Sequence, residues 1–182
     1  MLHKNPKSAP CDRILVRYAA RQHTLPLITS LSTVKCQLFN TDLIVTHYQK
    51  LLTIPSTPKS FVKITSQIED IVTNSGITTG LCSLFLRHTS ASLVIQENAD
   101  PDVLIDLANF LAKLVPEDGK YIHSAEGKDD MPAHIRTALT HTSEQIPIMQ
   151  GKLVLGTWQG IYLWEHRQHR YNRELVVHLS GD

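Results

Sequence analysis

The feature that most constrains the fold is a set of short apolar segments that follow one another in neighbouring pairs. GLCSLFLRH (80–88) and ASLVIQEN (91–98) are separated by two residues, and KLVLGTWQGIYLWEH (152–166) divides into two runs around its glycines. Further runs occupy 46–54 and 174–179. Runs of this length bounded by turn residues are typical of strands. Neighbouring strands interrupted by helices predict an α+β domain with a largely antiparallel β-sheet.

The clearest helix is predicted directly after the 91–98 strand. Asp100 is a natural N-cap, Pro101 suits the first turn, and Pro116 stops the helix. Apolar residues recur at helical spacing inside it: Leu104, Leu107, Ala108, Leu111 and Leu114.

Two further helices are predicted on either side of this one. ITSQIEDIVTNSG (64–76) has capping-box spacing between Ser66 and Glu69 and ends on a glycine. Its apolar face comprises Ile68, Ile71 and Val72. A shorter helix is opened by Pro132 and runs towards Ser143.

Composition and charge exclude several classes of protein. The chain has 182 residues, is 42% hydrophobic and 19% charged, and carries a formal net charge of +1. None of its apolar stretches approaches the length of a membrane helix. We therefore expect neither a membrane nor nucleic acid as a partner. The three cysteines are isolated and odd in number, which favours a reducing, cytoplasmic setting over a disulfide framework.

The chain divides into an N-terminal segment, 1–45, and an organised domain, 46–182. The first segment is basic, rich in Ser, Thr and Pro, and without sustained periodicity, so we expect a poorly structured or atypical extension. A targeting segment, a flexible tail and a start codon placed too early all remain open for it.

Ligand-type side chains are concentrated in YIHSAEGKDDMPAHIR (121–136). His123 and His134 lie far apart for a zinc finger and have no cysteine partners, which excludes a structural zinc site. Neighbouring carboxylates repel one another unless they are solvated or a cation lies among them, and both alternatives stay open. The second alternative predicts a divalent metal, zinc or magnesium, held by three protein ligands with His88 as the third. The carboxylates of the segment are Glu126, Asp129 and Asp130.

A second candidate region surrounds the strand 91–98. It is preceded by His88, Thr89 and Ser90. These side chains can bind a phosphate or a metal, or they can serve only to cap a turn. Glu97 and Asn98 end it, and they are free either to contact a ligand or to shape the loop.

The third candidate region is GTWQGIYLWEHRQHRYNR (156–173). Trp158 lies between two glycines and is either a core anchor or a face on which a heteroaromatic ring stacks. Glu165 and Arg173 belong to a run of charged residues that either binds phosphate or forms solvated surface.

Three blocks in these regions resemble one protein family. HTSAS…EN.D (88–100), Y.H..EG.DD.PAHI (121–135) and GTWQGI.L.EHR (156–167) are similar, in order and spacing, to the YjbQ-like proteins, also called the secondary thiamine-phosphate synthase family. The resemblance runs from about His47 to the C-terminus. It implies a small α+β fold that assembles as a homotrimer, with a pocket near the subunit contacts.

The resemblance also implies an activity. Thiamine-phosphate synthases couple a hydroxymethylpyrimidine diphosphate to a thiazole phosphate and release pyrophosphate, so the partner is a small phosphorylated metabolite. This chain departs from the family in residues 1–45 and at Arg170-Tyr171, which replaces what is often a glycine pair and alters a loop beside the pocket.

Resemblance and chemistry together assign roles to individual residues. Catalytic roles fall to His88, Glu97, Glu126, Asp130 and Glu165. Substrate-binding roles fall to Thr89, Ser90, Asn98, Thr157, Trp158, Gln159 and Arg173. The metal ligands are His88, His123 and His134.

Two rival functions remain on the sequence alone. The same ligands would suit a metal-dependent hydrolase of a phosphorylated metabolite, in which the metal activates water. They would also suit a non-catalytic trimer that captures a small anion.

Overall fold

The computed structural model describes residues 45–182, so the predicted extension lies outside the described residues apart from Val45. The described part of the chain contains eight strands and three helices. In chain order they are β1 (Thr46–Pro55), β2 (Phe61–Lys63), α1 (Thr65–Ser75), β3 (Thr79–Leu86), β4 (Ala91–Glu97), α2 (Pro101–Leu114), α3 (Asp130–Leu139), β5 (Ser143–Met149), β6 (Lys152–Leu153), β7 (Gln159–Glu165) and β8 (Asn172–Gly181).

The strands form two antiparallel sheets rather than one. The larger sheet has the order β1-β8-β3-β5-β6, and the smaller has the order β2-β7-β4. Each named strand pairs antiparallel with its neighbours. The α+β class is therefore confirmed. Although β3 and β4 follow each other directly, they lie in different sheets, so residues 87–90 carry the chain from one sheet to the other.

One hydrophobic core unites both sheets with α1. Along β8, Leu175, Val177 and Leu179 are buried in alternation, and β7 contributes Ile161 and Leu163. Side chains alternate between the faces of a strand, so the residues between these point away from the shared core. Replacing one of the fully buried leucines by alanine is expected to cost about 2–5 kcal/mol. The core therefore fixes β7 and β8, whose ends carry much of the candidate site.

The predicted helix after β4 is confirmed as α2. The Asp100 side chain accepts a hydrogen bond from the Asp102 amide at 2.9 Å, and Pro101 occupies the first turn. Its apolar face is only partly covered, since Leu111 is the one buried residue of the helix while Leu114 and Phe110 are exposed.

The other two helices differ from prediction at their starts. In α1 the N-cap is Ile64, which makes no side-chain capping bond, so the predicted capping box is wrong. Its apolar face is buried as predicted, and Gly76 ends it in the left-handed region at φ 74°. Helix α3 begins at Asp130, two residues before the predicted Pro132, and ends at Leu139.

Strands β2 and β5 were not predicted from the sequence. β2 is three residues long, too short for a periodic signal. β5 buries only Ile146 and Ile148, and Pro147 lies between them. A proline inside a run ordinarily argues against a strand. The described residues include no helix long and apolar enough to cross a membrane. Cys82 is free and buried in β3.

Candidate functional site

Two histidines and one aspartate converge at the start of α3. The Nε2 atom of His123 lies 2.7 Å from Oδ2 of Asp130, and Nε2 of His134 lies 3.4 Å from the same oxygen. Their candidate ligand atoms all lie within 4.8 Å of one another. Asp130 and His134 are one helical turn apart, which places both on one face of α3. His123 reaches them from the preceding loop. We call His123, Asp130 and His134 the histidine–aspartate group.

Hydrogen bonding fixes the tautomer of His134. Its Nδ1 lies 2.9 Å from the carbonyl oxygen of Thr89, and a carbonyl oxygen only accepts, so Nδ1 carries the proton. In the neutral ring, Nε2 then presents a lone pair towards the Asp130 carboxylate. Two lone pairs facing each other repel unless a proton or a cation lies between them. A ligating histidine characteristically donates its other N–H in this way, so the donor set fits a divalent metal.

The third predicted ligand, His88, is not brought into this group. Its Nε2 accepts the amide N–H of Glu174 at 2.7 Å, and its Nδ1 lies 3.4 Å from Arg173 Nη1. Burial, followed by the charge of Arg173, lowers the pKa of His88 below its usual value, so the ring is neutral at neutral pH. Asp130 takes the place predicted for His88.

Arg167 binds the carboxylates of Asp129 and Asp130 beside the histidine–aspartate group. Its Nε donates to Oδ2 of Asp129 at 2.9 Å, its Nη1 pairs with Oδ1 of Asp130, and its Nη2 donates to the carbonyl of Glu126 at 2.9 Å. Burial by itself raises the pKa of Asp129, but hydrogen bonds from the Gln168 amide and from Arg167 outweigh it and lower the pKa. Asp129 is thereby kept ionised although it is buried.

A second buried ion pair continues from the first. Both oxygens of Glu165 accept from Arg173, at 2.7 and 2.6 Å, and Ser56 donates to Oε2 at 2.6 Å. The amide of Arg167 donates to Oε1 of Glu165 at 3.0 Å, which links the two pairs. Glu165 is fully buried and Arg173 is 4% exposed. Both side chains are therefore engaged in a buried ion pair, and the catalytic role predicted for Glu165 and the substrate-binding role predicted for Arg173 stay predictions.

The buried charges are balanced in number. Three buried carboxylates, Asp129, Asp130 and Glu165, are matched by three buried arginines, Arg136, Arg167 and Arg173. A buried network is costly unless its charges and hydrogen bonds are satisfied. Arg167 pairs with both aspartates and Arg173 pairs with Glu165, so the carboxylates of this network have partners within the chain.

An open hollow lies beside this group. Its volume is about 730 Å³, and it is lined by His88, Thr89, Ser90 and His134, with Thr137 and Arg87 at its wall. His123 and His134 are partly exposed, which leaves their ring nitrogens accessible to a ligand from solvent. Glu126, predicted to be catalytic, is 69% exposed, and its Oε2 lies 3.8 Å from Arg167.

The remaining predicted residues lie at the other end of the small sheet. Ala91 pairs with Glu165 at one end of β4, and Glu97 pairs with Gln159 at the other. Six strand steps separate these ends by about 20 Å. Glu97 ends β4 there, together with the exposed residues Asn98, Thr157, Trp158 and Gln159. Within one chain, the structure does not bring this set to the histidine–aspartate group.

This second end is organised by backbone contacts. Asn98 donates from its side chain to the carbonyl of Gln159 at 3.0 Å, and its amide donates to the carbonyl of Trp158 at 3.0 Å. Gln159 accepts the amide of Gly156 at 2.8 Å. The Trp158 side chain is 63% exposed, so its interpretation as a core anchor is wrong. We call residues 156–159 with Asn98 the tryptophan loop.

Sequence reasoning missed the buried partners of Arg167, which belongs to the charged run for which phosphate binding and solvated surface both stayed open. Arg167 lies two residues after β7, and within β7 Glu165 shares the strand face of Ile161 and Leu163, all three fully buried. A charged residue on the buried face of a strand requires a partner, and that signal was readable in advance.

Comparison with known proteins gives the same fold. A family model described as UPF0047 protein YjbQ-like matches residues 50–182. A UPF0047 protein of Synechocystis sp. is 62% identical over 136 residues, which cover 74% of this chain and 92% of that protein. YjbQ of Salmonella typhimurium is 43% identical over 136 residues, covering 74% of this chain and 99% of that protein.

Solved structures extend the similarity to three dimensions. A YbjQ-like protein of unknown function from Sulfolobus solfataricus matches with a TM-score of 0.71 at 27% identity, covering 76% of this chain and 99% of that one. An uncharacterized conserved protein of the YjbQ/UPF0047 family from Clostridium acetobutylicum matches with a TM-score of 0.63 at 40% identity, covering 71% of this chain and 97% of that one. The chain belongs to the UPF0047 family of YjbQ-like proteins.

Proposed function

We propose that the chain is a metal-dependent enzyme that acts on a phosphorylated metabolite, with thiamine-phosphate synthase activity as its reaction. The observation that carries the proposal is the convergence of His123, Asp130 and His134, with Nδ1 of His134 lying 2.9 Å from the Thr89 carbonyl oxygen. Three protein ligands and an open position are the arrangement of catalytic rather than structural metal sites. A divalent metal bound there supplies positive charge that stabilises a departing pyrophosphate.

The chain's own residues prepare this site. Arg167 holds the carboxylates of Asp129 and Asp130 in place, and the Thr89 carbonyl holds the ring of His134. Thr89 and Ser90 line the adjoining hollow with hydroxyl groups that can donate to phosphate oxygens. His88, neutral and fixed by Glu174, forms its inner wall.

The proposed reaction is a substitution at carbon. The bond between the pyrimidinylmethyl carbon and the diphosphate oxygen breaks, and its electron pair leaves with pyrophosphate. The thiazole nitrogen contributes the pair that forms the new carbon–nitrogen bond, so no external proton or reductant is needed. Electrostatic stabilisation of the leaving group is the main demand on the protein.

We further propose that the chain forms a homotrimer. The exposed face of the large sheet supports a subunit contact, since Leu51, Val176 and Phe85 lie opposite one another across β1, β8 and β3. Leu51 is 49% exposed and Phe85 is 54% exposed. Exposed apolar residues that are contiguous mark interaction surfaces. Mass photometry of wild type and Phe85→Lys tests this, because a charge on that face should reduce trimers to monomers.

A metal-dependent hydrolase is the second candidate, and one observation favours it. The tryptophan loop, predicted to stack the pyrimidine, lies at the end of β4 that is about 20 Å along the strand from Ala91, and within one chain it does not join the histidine–aspartate group. A hydrolase of a simpler phosphoester needs only the metal site, its water and the hollow.

One assay separates these functions. The full chain is loaded with zinc or magnesium and incubated with the two thiamine precursors, and in parallel with generic phosphoesters. The proposal predicts thiamine phosphate, with a loss of at least about a hundredfold in His134→Asn and none in the exposed control His141→Asn. Phosphate release from phosphoesters alone would identify a hydrolase. Tight anion binding without turnover would identify a binding protein, and either result overturns the synthase proposal.

A further inference from the structure

A separate cavity lies between α2 and the small sheet, away from the hollow of the proposed active site. Its volume is about 410 Å³, which is within the range of small-molecule sites. One wall is apolar and comes mainly from α2 and the turn after it: Ala108, Leu111, Ala112 and Pro116. The opposite wall contains Trp164 and His166, and the charged residues of the lining are Lys59, Glu117, Arg136 and Glu165.

Arg136 is the unusual member of this lining. It projects from α3 and is only 6% exposed. Its Nη2 donates to the carbonyl of Val115 at 2.8 Å, but its Nε makes no hydrogen bond. A buried donor without a partner costs about 1–3 kcal/mol, so a guanidinium in this state is poised for an acceptor.

The charges around the cavity favour an anion. Glu117 accepts from Gln168 at 2.6 Å and lies 2.6 Å from the ammonium of Lys59, whereas its distance to Arg136 Nη1 is 3.8 Å. One carboxylate therefore faces two cations. The neighbouring carboxylate of Glu165 is already committed to Arg173 and Ser56. With Glu165 paired to Arg173, the other charged residues of the lining are two cations, Lys59 and Arg136, and one carboxylate, Glu117.

The wall of the cavity that contains Trp164 is suited to the apolar part of a ligand. Trp164 is 6% exposed and stacks on Phe61 with ring centroids 4.4 Å apart, so it presents a fixed aromatic edge. The alanines of α2 leave the space in front of it free, which explains why this helix buries only Leu111. His166 is held by Ser92 at 2.9 Å and adds no charge because burial lowers its pKa to about 3.

We propose that this cavity binds a small amphipathic carboxylate, with its apolar or aromatic body between α2 and Trp164 and its carboxylate on Arg136. An inorganic phosphate would leave the apolar wall unused, and a neutral ring would leave Arg136 unpaired. The site uses none of the residues of the histidine–aspartate group, so it stands independently of the proposed function.

Binding of 2-naphthoate and of its uncharged amide, 2-naphthamide, tests the proposal. Titration of the full chain in EDTA, followed by calorimetry and by tryptophan fluorescence, should give a submillimolar Kd for the acid and at least tenfold weaker binding of the amide. Ala108→Leu fills the cavity and should weaken acid binding at least tenfold. Asp106→Leu places the same side chain on α2 outside the cavity and should leave binding unchanged.

Arg136→Met separates charge recognition from shape. It should abolish the difference between acid and amide while retaining the weaker, apolar part of binding. Arg136→Met also removes a buried hydrogen bond on which folding can depend, so the Ala108→Leu comparison decides independently. Equal binding of acid and amide by wild type, absence of acid binding at millimolar concentration, or unchanged binding by Ala108→Leu would each overturn the proposal.

Discussion

The two ends of the small sheet are built in opposite ways. At the end where Ala91 pairs with Glu165, buried carboxylates and arginines pair with one another and hold a histidine–aspartate group beside an open hollow. At the end where Glu97 pairs with Gln159, exposed side chains are held mainly by single hydrogen bonds to the backbone. The charged side chains of the first end are held in fixed positions by one another. The exposed side chains of the second end are free to adjust to a ligand or to another subunit.

The largest expected difference between the two ends is in the unfolding free energy that is lost when one side chain is removed. Arg167→Met leaves Asp129 and Asp130 buried without their cation, and breaking a buried pair in this way costs about 3–5 kcal/mol. Asn98→Ala at the other end removes exposed hydrogen bonds and should cost about 0.5–1.5 kcal/mol. Urea unfolding measures both free energies.

The exposed pair of Arg87 and Glu174 supplies the matched control for that measurement. Its side chains are 52% and 42% exposed, so Arg87→Met should change the unfolding free energy by no more than about 1 kcal/mol. Equal losses for Arg87→Met and Arg167→Met would mean that burial does not distinguish the network at the first end.

Lowering the pH should reduce the unfolding free energy because His166 is buried at the first end. Burial, with the charges of Arg136 and Arg173, lowers the pKa of His166 from 6.5 to about 3 in the folded chain. The unfolded chain therefore takes up a proton below pH 6.5 while the folded chain does not. This contribution to stability is complete above pH 6.5 and is lost as the pH falls towards 3, by about 1.4 kcal/mol per pH unit.

His166→Gln should flatten the dependence of the unfolding free energy on pH between 4 and 6.5. The exposed His169→Gln should leave that dependence as in wild type. A slope that is unchanged by His166→Gln would show that the ring is not held neutral in the folded chain.

A substitution in the tryptophan loop should give the smallest change in unfolding free energy. Its effect on activity should depend on how the subunits assemble. Trp158 is exposed, so Trp158→Ala should alter the unfolding free energy by no more than about 0.5 kcal/mol. If the loop completes the site of a neighbouring subunit, mixing Trp158→Ala with His134→Asn subunits should restore activity that each variant lacks. Failure of the mixture to recover, with both variants inactive alone, would contradict a shared site.

The sequence predicted local features better than pairings between distant segments. Helix α2 was readable because Asp100, Pro101 and Pro116 mark its ends. His123 and His134 were predicted as a pair because a short segment contains both. The division into two sheets was not predictable from the short connection between β3 and β4, since such a connection can form a hairpin or cross between sheets.

The same distinction explains where the predicted site and the structure differ. His88 was assigned to the metal because its residue type fits, but its partner is the amide of Glu174 on β8, which no local pattern reveals. The resemblance joins the motif of Trp158 to the histidines in a pocket near subunit contacts, and that stays a prediction. Strand register, which places Glu97 and Gln159 at the far end of the small sheet, is a property of the folded chain.

Metal binding by the histidine–aspartate group tests the central claim most directly. Full-length protein is stripped with chelator, titrated with zinc and with magnesium, and analysed for bound metal per chain. We predict about one divalent ion per chain in wild type and in His141→Asn, and at least a hundredfold weaker binding in Asp130→Asn and in His134→Asn. Wild-type protein that binds neither metal, or an Asp130→Asn variant that binds as tightly as wild type, would contradict it.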